Sequence, residues 1–132
     1  MTPLGSAQWV ASVAPEVRRR KPRAPVKDGF FGIVVHAGDL DESRAFSVEV
    51  TRNRIVRISI GIDARADVVF WLRDDVAMAM LVLRDRLAAE RALSSGGVRL
   101  TGRNIEVAGT VRHWLVVSED DEVHQVVRDL AN

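Results

Sequence analysis

The pattern of hydrophobic and polar positions divides the chain into a helical start, a block of strands and a mainly helical second half. At the start, Trp9, Val10, Val13 and Val17 recur at helical spacing after Ser6, a good N-terminal cap, and predict a first helix. Prolines and cationic residues follow, where a helix cannot continue and charged side chains stay in water. We therefore expect residues 1–27 to form a helix and a basic surface linker.

From residue 28 to residue 72 the period changes to two, which is typical of strands with one buried face. Arg52-Asn53 predicts a tight hairpin, and the short connections predict a four-strand antiparallel meander. Trp71 falls on the outer face, where we expect either cover by the N-terminal helix or a partner surface. The predicted inward residues are Phe31, Ile33 and Val35, then Phe46, Val48 and Val50, then Val56, Ile58 and Ile60, and last Val68, Phe70 and Leu72.

The segment at 73–97 is helical in pattern and contains an uninterrupted apolar run from Val76 to Leu83. The spacing of Val76, Met80, Leu83 and Leu87 predicts one helix face against the sheet, with a break near residues 84–88 and a stop at Gly96-Gly97. Most of the remaining circumference is apolar too. A second face of this segment must therefore be covered by another helix, a partner protein or an apolar ligand.

The last third predicts a short strand at 98–102 and two further helices within residues 104–132. Asn104 is a good cap for a helix that runs to Val117, and Gly109 inside it indicates close packing. We expect a single domain over residues 1–132, in which the strands of 28–72 come between the first helix and the central helices.

Composition excludes several classes of function. Apolar residues make up 47% and charged residues 28% of the 132, and the net charge of +1 gives no overall attraction to nucleic acid. The chain has no cysteine, no secretory leader pattern and no apolar run of about 18 residues that would span a membrane. We expect a soluble cytoplasmic protein with no stable membrane insertion and no nucleic-acid partner.

Candidate catalytic residues are few. His36, His113 and His124 are far apart in sequence and lack metal-ligand spacing, so we expect no metal, and no glycine-rich motif indicates a cofactor. Asp63 and Asp67 flank a strand and are candidate bases, although acids at such positions usually solvate a turn. The basic linker at residues 18–23 is interpreted as a solvated connector, with lipid headgroups or nucleic acid as the alternative.

The excess of apolar residues leaves two interpretations open on physical grounds. The central helices can fill a solid core, or they can line a pocket for an apolar ligand. Met78 and Met80 favour the pocket, because unbranched thioether side chains adapt to variable apolar shapes.

A family resemblance favours the pocket as well. Ala66-Asp67-Val68 with Phe70 and Leu72, the apolar helix through Leu83, the stop at 92–96 and Val98-Arg99-Leu100-Thr101-Gly102 resemble the signature half of the sterol carrier protein type 2 domain. The hairpin from Phe46 to Ile60 and the early Trp9 are similar to features of the small bacterial single-domain members. The chain departs from the family's pattern at Asp85-Arg86-Leu87-Ala88 and at Gly102-Arg103-Asn104, near the region where the family's tunnel closes.

This resemblance implies an α+β fold with a five-stranded, mostly antiparallel sheet and helices packed on one face. It also implies an apolar tunnel for a sterol, a fatty acid or an acyl-CoA-like lipid, with the last helix as a lid. The tunnel residues that the resemblance implies are Phe46, Val48, Val50, Ile58, Val68, Phe70, Met78, Leu81, Val82, Leu93, Leu100, Val107, Val111 and Leu115.

The leading functional hypothesis is a non-catalytic lipid-binding or carrier protein without a cofactor. A second hypothesis is an accessory subunit, as a homodimer or with a lipid- or steroid-metabolising partner enzyme, whose apolar excess meets that partner. A third is a small cavity enzyme, such as an isomerase that uses an acid like Asp63, although such folds usually place their helices before the sheet.

Overall fold

The chain alternates between helices and strands in the order α1, four strands, two helical segments, a fifth strand and two final helical segments. The computed structural model describes residues 3–36 and 43–130, so most of the predicted turn at 37–43 lies outside the described residues. The strands are β1 (Gly29–His36), β2 (Arg44–Thr51), β3 (Arg54–Ile60), β4 (Val68–Arg73) and β5 (Val98–Gly102). The helices are α1 (Ala7–Arg18), α2 (Asp74–Ala77), α3 (Arg86–Ser95), α4 (Ile105–Arg112) and α5 (Glu122–Leu130), and two π-helical turns, π1 (Met78–Val82) and π2 (His113–Val117), continue α2 and α4.

The five strands form one sheet in the order β3-β2-β1-β4-β5. All neighbours are antiparallel except β1 and β4, which are parallel and pair Ile33 with Phe70. The predicted α+β class with a mostly antiparallel sheet is therefore confirmed. The predicted meander is wrong at β4, because the chain crosses from β3 over β2 and β1 before β4 begins.

The crossover at residues 61–67 runs over the outer face of the sheet. Ser47 Oγ donates to the carbonyl of Gly61 and accepts from the amide of Asp63, which fixes the crossover on β2. Ile62 lies against Gly32 on β1, where an added Cβ would come within 2.6 Å of the Ile62 side chain. Because Gly32 has no side chain, the crossover can pass close to the outer face of β1.

Inward-facing residues follow the predicted alternation in three of the four strands. Phe31 and Phe70 are buried, as are the other predicted residues of β1, β2 and β4. In β3 the prediction is wrong at two of its three residues: Val56 is 41% exposed while its neighbour Ile55 is 3% exposed, and Ile60, at the end of this edge strand, is 62% exposed. Ile58 is half-buried. The exposure of Val56 has a local cause. The cause is a register shift beside Val50, because a β-bulge exchanges the face on which the next side chain lies.

The predicted stripe along the central helix holds only for its first half. Val76 and Met80 are buried, whereas Leu83 and Leu87 are 68% and 58% exposed. The π-helical turn π1 and the break after Val82 explain this error, because both rotate later residues away from a regular helical face. The predicted break near residues 84–88 is confirmed, since α3 begins at Arg86.

Local signals end and begin several helices as the sequence predicts. Ser6 Oγ accepts from the amide of Trp9, and Asn104 Oδ1 accepts from the amide of Val107. Gly96 ends α3 in the left-handed conformation, with a φ of 81°. Asp74 and Asp75 lie in the first turn of α2, directly after its N-cap residue Arg73.

Trp71 is on the outer face of β4, as predicted, but α1 does not cover it. Its Nε1 donates to Thr101 Oγ1 across the β4–β5 pair at 3.0 Å, and the side chain stays half-buried. The helix α1 instead packs on the inner face, where Trp9 contacts Phe46 at a ring-centroid distance of 5.2 Å. The helices therefore share one hydrophobic core with the inner face of the sheet.

Candidate functional site

A small, partly open apolar cavity lies between the terminal helices and the β3-β2-β1 half of the sheet. Its volume is about 40 Å³, little more than one water molecule occupies in the liquid. Its wall is apolar apart from a single histidine and consists of Trp9, Val13, Val17, Phe31, Ile33, Phe46, Val48, Ile55, Ile58, Leu81, Trp114, Leu115, Val123, His124 and Val127.

Trp9 is the cavity's largest contribution from α1. The side chain is 2% exposed, and its ring is tilted by 54° against that of Phe46. Its Nε1 is buried and has no hydrogen-bond acceptor among the described residues. The indole therefore brings an unpaired donor to an otherwise apolar wall.

The helix α5 contributes His124 to the cavity wall. The imidazole stacks on the indole of Trp114 at 4.9 Å, and its Nε2 lies 3.1 Å from the carbonyl oxygen of Trp114. Burial, with a smaller contribution from the charge of Arg84, lowers the pKa of His124 to about 4. The histidine is consequently neutral at physiological pH.

Asp121 fastens the start of α5 to its surroundings. Its carboxylate accepts from Trp114 Nε1 at 2.8 Å, from the amide of Arg23 at 2.7 Å and from the amide of His124 at 2.9 Å. Burial alone would raise the pKa of this carboxyl, but the donated hydrogen bonds together keep the pKa below its usual value. One carboxylate thus joins the N-terminal linker, π2 and α5.

Arg84 holds the far ends of the two π-helical turns together. Its backbone is in the left-handed conformation, with a φ of 53°. Its side chain is 7% exposed and donates hydrogen bonds to the carbonyl oxygens of Met80, Leu115 and Ser118. It also pairs with Asp120 at 2.8 Å. These contacts satisfy carbonyl groups that the helix ends leave without partners.

The rest of the described chain contains neither a metal-binding cluster nor a membrane-spanning helix. Within residues 3–36 and 43–130, no group of three or more histidines or acids is arranged to hold a metal ion. No helix in those ranges is long and apolar enough to cross a membrane. Asp63 lies in the outer crossover, away from the cavity, where hydrogen bonds from Arg65 lower its pKa to about 2.

The arrangement of the sheet and helices is similar to that of several solved structures. A crystal structure of sterol carrier protein 2 matches with a TM-score of 0.66 at 16% identity, over 96% of this chain and 98% of that one. Sterol Carrier Protein 2 Like 2 from Aedes aegypti matches with 0.58 at 18% identity, over 79% of this chain and 90% of that one. The fold is that of sterol carrier protein 2.

A third structure with the sterol carrier protein 2 fold contains a lipid. The Aedes aegypti sterol carrier protein 2, solved in complex with the C16 fatty acid palmitate, matches with a TM-score of 0.57 at 16% identity, over 87% of this chain and 96% of that one. No family model matches the sequence, and no curated protein is significantly similar to it. The likeness therefore lies in the fold and not in a close sequence relationship.

Within this sterol carrier protein 2 fold, five of the fourteen predicted tunnel residues line the cavity: Phe46, Val48, Ile58, Leu81 and Leu115. Six others are buried elsewhere in the core: Val50, Val68, Phe70, Val82, Val107 and Val111. Met78 and Leu93 are half-buried against the core, and Leu100 is 50% exposed on the edge strand β5. Contact of these side chains with a ligand stays a prediction.

The tunnel prediction omitted the walls that the terminal helices supply. Trp9, Val13 and Val17 come from α1, and Val123 and Val127 come from α5. Their helical spacing was visible in the sequence and predicted amphipathic helices. What it could not tell is that both helices pack beside each other over β1–β3, since that requires knowledge of the tertiary arrangement.

Proposed function

We propose that this protein binds a lipid with a long apolar part, such as a fatty acid, a sterol or an acyl-CoA-like molecule, for storage or transfer. The observation that carries the proposal is the small apolar cavity between α1, α5 and β1–β3, within a fold that this chain shares with a palmitate-bound structure. Binding requires no chemical step, and the single histidine at the wall is engaged with the carbonyl of Trp114.

The cavity has to grow before it can hold such a ligand. Ligand pockets in proteins have volumes of roughly 300–1,000 Å³, whereas this cavity has about 40 Å³. The free energy for opening comes from the ligand, because each methylene that leaves water contributes about 0.8 kcal/mol. Binding of the proposed lipid therefore includes an enlargement of this cavity.

The helix α5 is the wall best suited to move. It contributes Val123, His124 and Val127 to the cavity wall, of which Val127 is half-buried. Its attachment is polar at the N-terminal side, through Asp121, and Arg128 in its last turn forms an ion pair with Asp120. Polar contacts can be exchanged for water during opening, so α5 can act as a lid with the segment before it as a hinge.

A pair of variants on β3 tests the proposal. Ile58→Arg places a charge at the cavity wall and is expected to weaken binding of an uncharged fluorescent probe with a C16 alkyl chain at least about 10-fold, because a buried unpaired charge is costly. Ile58 is half-buried, so its replacement leaves the centre of the core intact. Binding is measured by fluorescence titration of the purified protein.

Val56→Arg is the matched control, since Val56 lies on the same strand, is 41% exposed and does not line the cavity. Its affinity is expected to stay within about 2-fold of the wild-type value. Circular dichroism and thermal unfolding establish that both variants are folded. Equal binding by two folded variants, or no binding by the wild-type protein, would contradict a lipid site in this cavity.

The accessory-subunit hypothesis has one structural feature in its favour. Leu83 and Leu87, at the junction of π1 and α3, are large apolar residues that are more than half exposed. Native mass spectrometry after gentle purification separates the two functions. Co-purified lipid on a monomer supports the carrier, and a lipid-free dimer or hetero-complex supports the subunit.

A further inference from the structure

The cavity wall contains one polar group whose hydrogen bond the protein leaves unmade. Trp9 lines the cavity and is 2% exposed, and its Nε1 is buried without an acceptor among the described residues. A buried N–H without a partner is costly, and such groups in native proteins usually have a structural or functional reason. A ligand that enters the cavity with a hydrogen-bond acceptor would provide the missing partner.

The other two indoles of the protein differ in this respect. Trp71 Nε1 donates to Thr101 Oγ1 at 3.0 Å, and Trp114 Nε1 donates to Asp121 Oδ2 at 2.8 Å. Trp114 shares the cavity wall with Trp9, so the wall itself does not prevent an indole from finding an acceptor. The unpaired donor is therefore particular to Trp9.

The charge of the wall restricts which acceptor fits. Among the described residues, no lysine or arginine lines the cavity, and His124 is a neutral residue whose Nε2 is engaged with the carbonyl of Trp114. An ionised carboxylate inside this wall would lack a counter-charge, and a buried unpaired charge is far more costly than a buried neutral carbonyl. A ketone, ester or hydroxyl oxygen needs only one donor, which Trp9 supplies.

From this geometry we infer that Trp9 selects lipids that carry an uncharged hydrogen-bond acceptor, and that its indole N–H holds this acceptor inside the cavity. The inference rests on the proposed lipid-binding function and narrows its ligand class to neutral ketones, esters and alcohols. Trp9 acts as a specificity-determining residue and takes part in no chemical step.

A set of ligands of equal chain length tests the inference. Dodecane, 2-dodecanone and dodecanoate displace a fluorescent alkyl probe from the full-length protein at pH 8, where the acid is ionised. We expect 2-dodecanone to bind about 3- to 10-fold more tightly than dodecane, the usual net effect of one hydrogen bond, and more tightly than dodecanoate. Equal affinities for ketone and alkane, or tighter binding of dodecanoate than of the ketone, would overturn the inference.

Trp9→Phe assigns the effect to the indole, since phenylalanine keeps an aromatic ring and removes the donor. The variant is expected to lose the preference for the ketone, so that 2-dodecanone and dodecane bind to it with equal affinities. If the preference persists in a folded variant, Trp9 is not its source. Failure of all three ligands to displace the probe from the wild-type protein would instead refute the proposed lipid binding.

Nitrogen-15 NMR of the three indole N–H groups gives a readout that does not depend on any variant. Addition of 2-dodecanone should shift the Trp9 Nε1–H resonance downfield, because the proton becomes hydrogen-bonded, whereas dodecane should not. The resonances of Trp71 and Trp114 serve as internal references, since both donors already have protein acceptors. Identical Trp9 spectra with ketone and alkane would contradict the inference even if Trp9→Phe does not fold.

Discussion

At the scale of single residues, His124 illustrates how the core controls protonation. Two structural features keep the imidazole neutral: its burial and, to a smaller extent, the nearby charge of Arg84. Asp121 opposes this effect but is itself occupied by three donated hydrogen bonds. A proton on His124 therefore weakens the native state.

The pH dependence of stability follows from this lowered pKa. The unfolded chain has a histidine pKa near 6.5 and the folded chain one of about 4, so the unfolded state binds more protons between these values. The contribution is fully present above pH 6.5 and is lost as the pH falls toward 4, by up to about 3 kcal/mol. Urea unfolding of the wild-type protein at a series of pH values measures this slope.

Two histidine variants assign the slope to its source. His124→Gln removes the titrating group and should flatten the dependence between pH 6.5 and 4. His113→Gln, at an exposed histidine only one residue from Trp114, should leave the slope unchanged. A wild-type slope that survives in His124→Gln would show that other groups cause it.

At the scale of helices, Arg84 determines how the chain turns between π1 and α3. If the helix continued regularly after π1, its apolar residues would extend beyond the core. The left-handed backbone at Arg84 ends the helix instead. The guanidinium then returns to the carbonyl groups of π1 and π2 and joins the two turns. The sequence predicted a break here but not the buried cation that organises it, since arginine is usually solvated.

Replacement of Arg84 should be strongly destabilising. Arg84→Ala leaves several buried carbonyl oxygens without donors and is expected to lower the free energy of unfolding by about 2–4 kcal/mol. Arg86→Ala is the control, because Arg86 is exposed and forms only a surface ion pair with Glu90, and it should cost less than about 1 kcal/mol. Chemical denaturation measures both, and similar losses for the two variants would refute the assigned role of Arg84.

At the scale of the whole molecule, the starts of β1 and β4 and the end of β5 lie side by side at one corner of the sheet. Asp67 accepts from the amide of Phe30 through Oδ2 at 3.0 Å and donates its own amide to the carbonyl of Phe30 at 2.8 Å. Gly102, at the end of β5, lies against the backbone of Asp67 and Val68. The Ala66-Asp67-Val68 and Gly102 motifs thus meet in space, which explains both as structural motifs of the parallel crossover.

A pair of glycine variants tests the importance of this corner. At Gly102, with a φ of 125°, an added Cβ would lie 2.4 Å from the carbonyl oxygen of Asp67, so Gly102→Ala should destabilise the protein by about 2–4 kcal/mol. Nothing lies within 4 Å of a Cβ at Gly109, so the predicted close packing there is wrong. Gly109→Ala should therefore stabilise α4 by up to about 1 kcal/mol. Thermal unfolding measures both variants, and a change of the unfolding temperature in the same direction for the two would contradict this account.

The candidate site shows where sequence reasoning reached its limit. Phe46, Val48 and Leu81 were predicted as tunnel residues and line the cavity, because each strand or helix reveals its apolar face through its own period. Trp9 was recognised as part of an amphipathic helix but not as part of the site. Which amphipathic helix covers which strands depends on contacts between segments far apart in sequence, and periodicity contains no information about them.

The sequence alone determined the features that depend on neighbouring residues. The hairpin at Arg52-Asn53, the caps at Ser6 and Asn104 and the stop at Gly96 follow from local backbone preferences and local hydrogen bonds. Only the tertiary structure decided the parallel pairing of β4 with β1, the bulge in β3 and the position of the cavity between α1 and α5. These features depend on packing and strand pairing between segments that are far apart in sequence. Several arrangements are compatible with the same local pattern, and the arrangement with the best-filled core is the most stable.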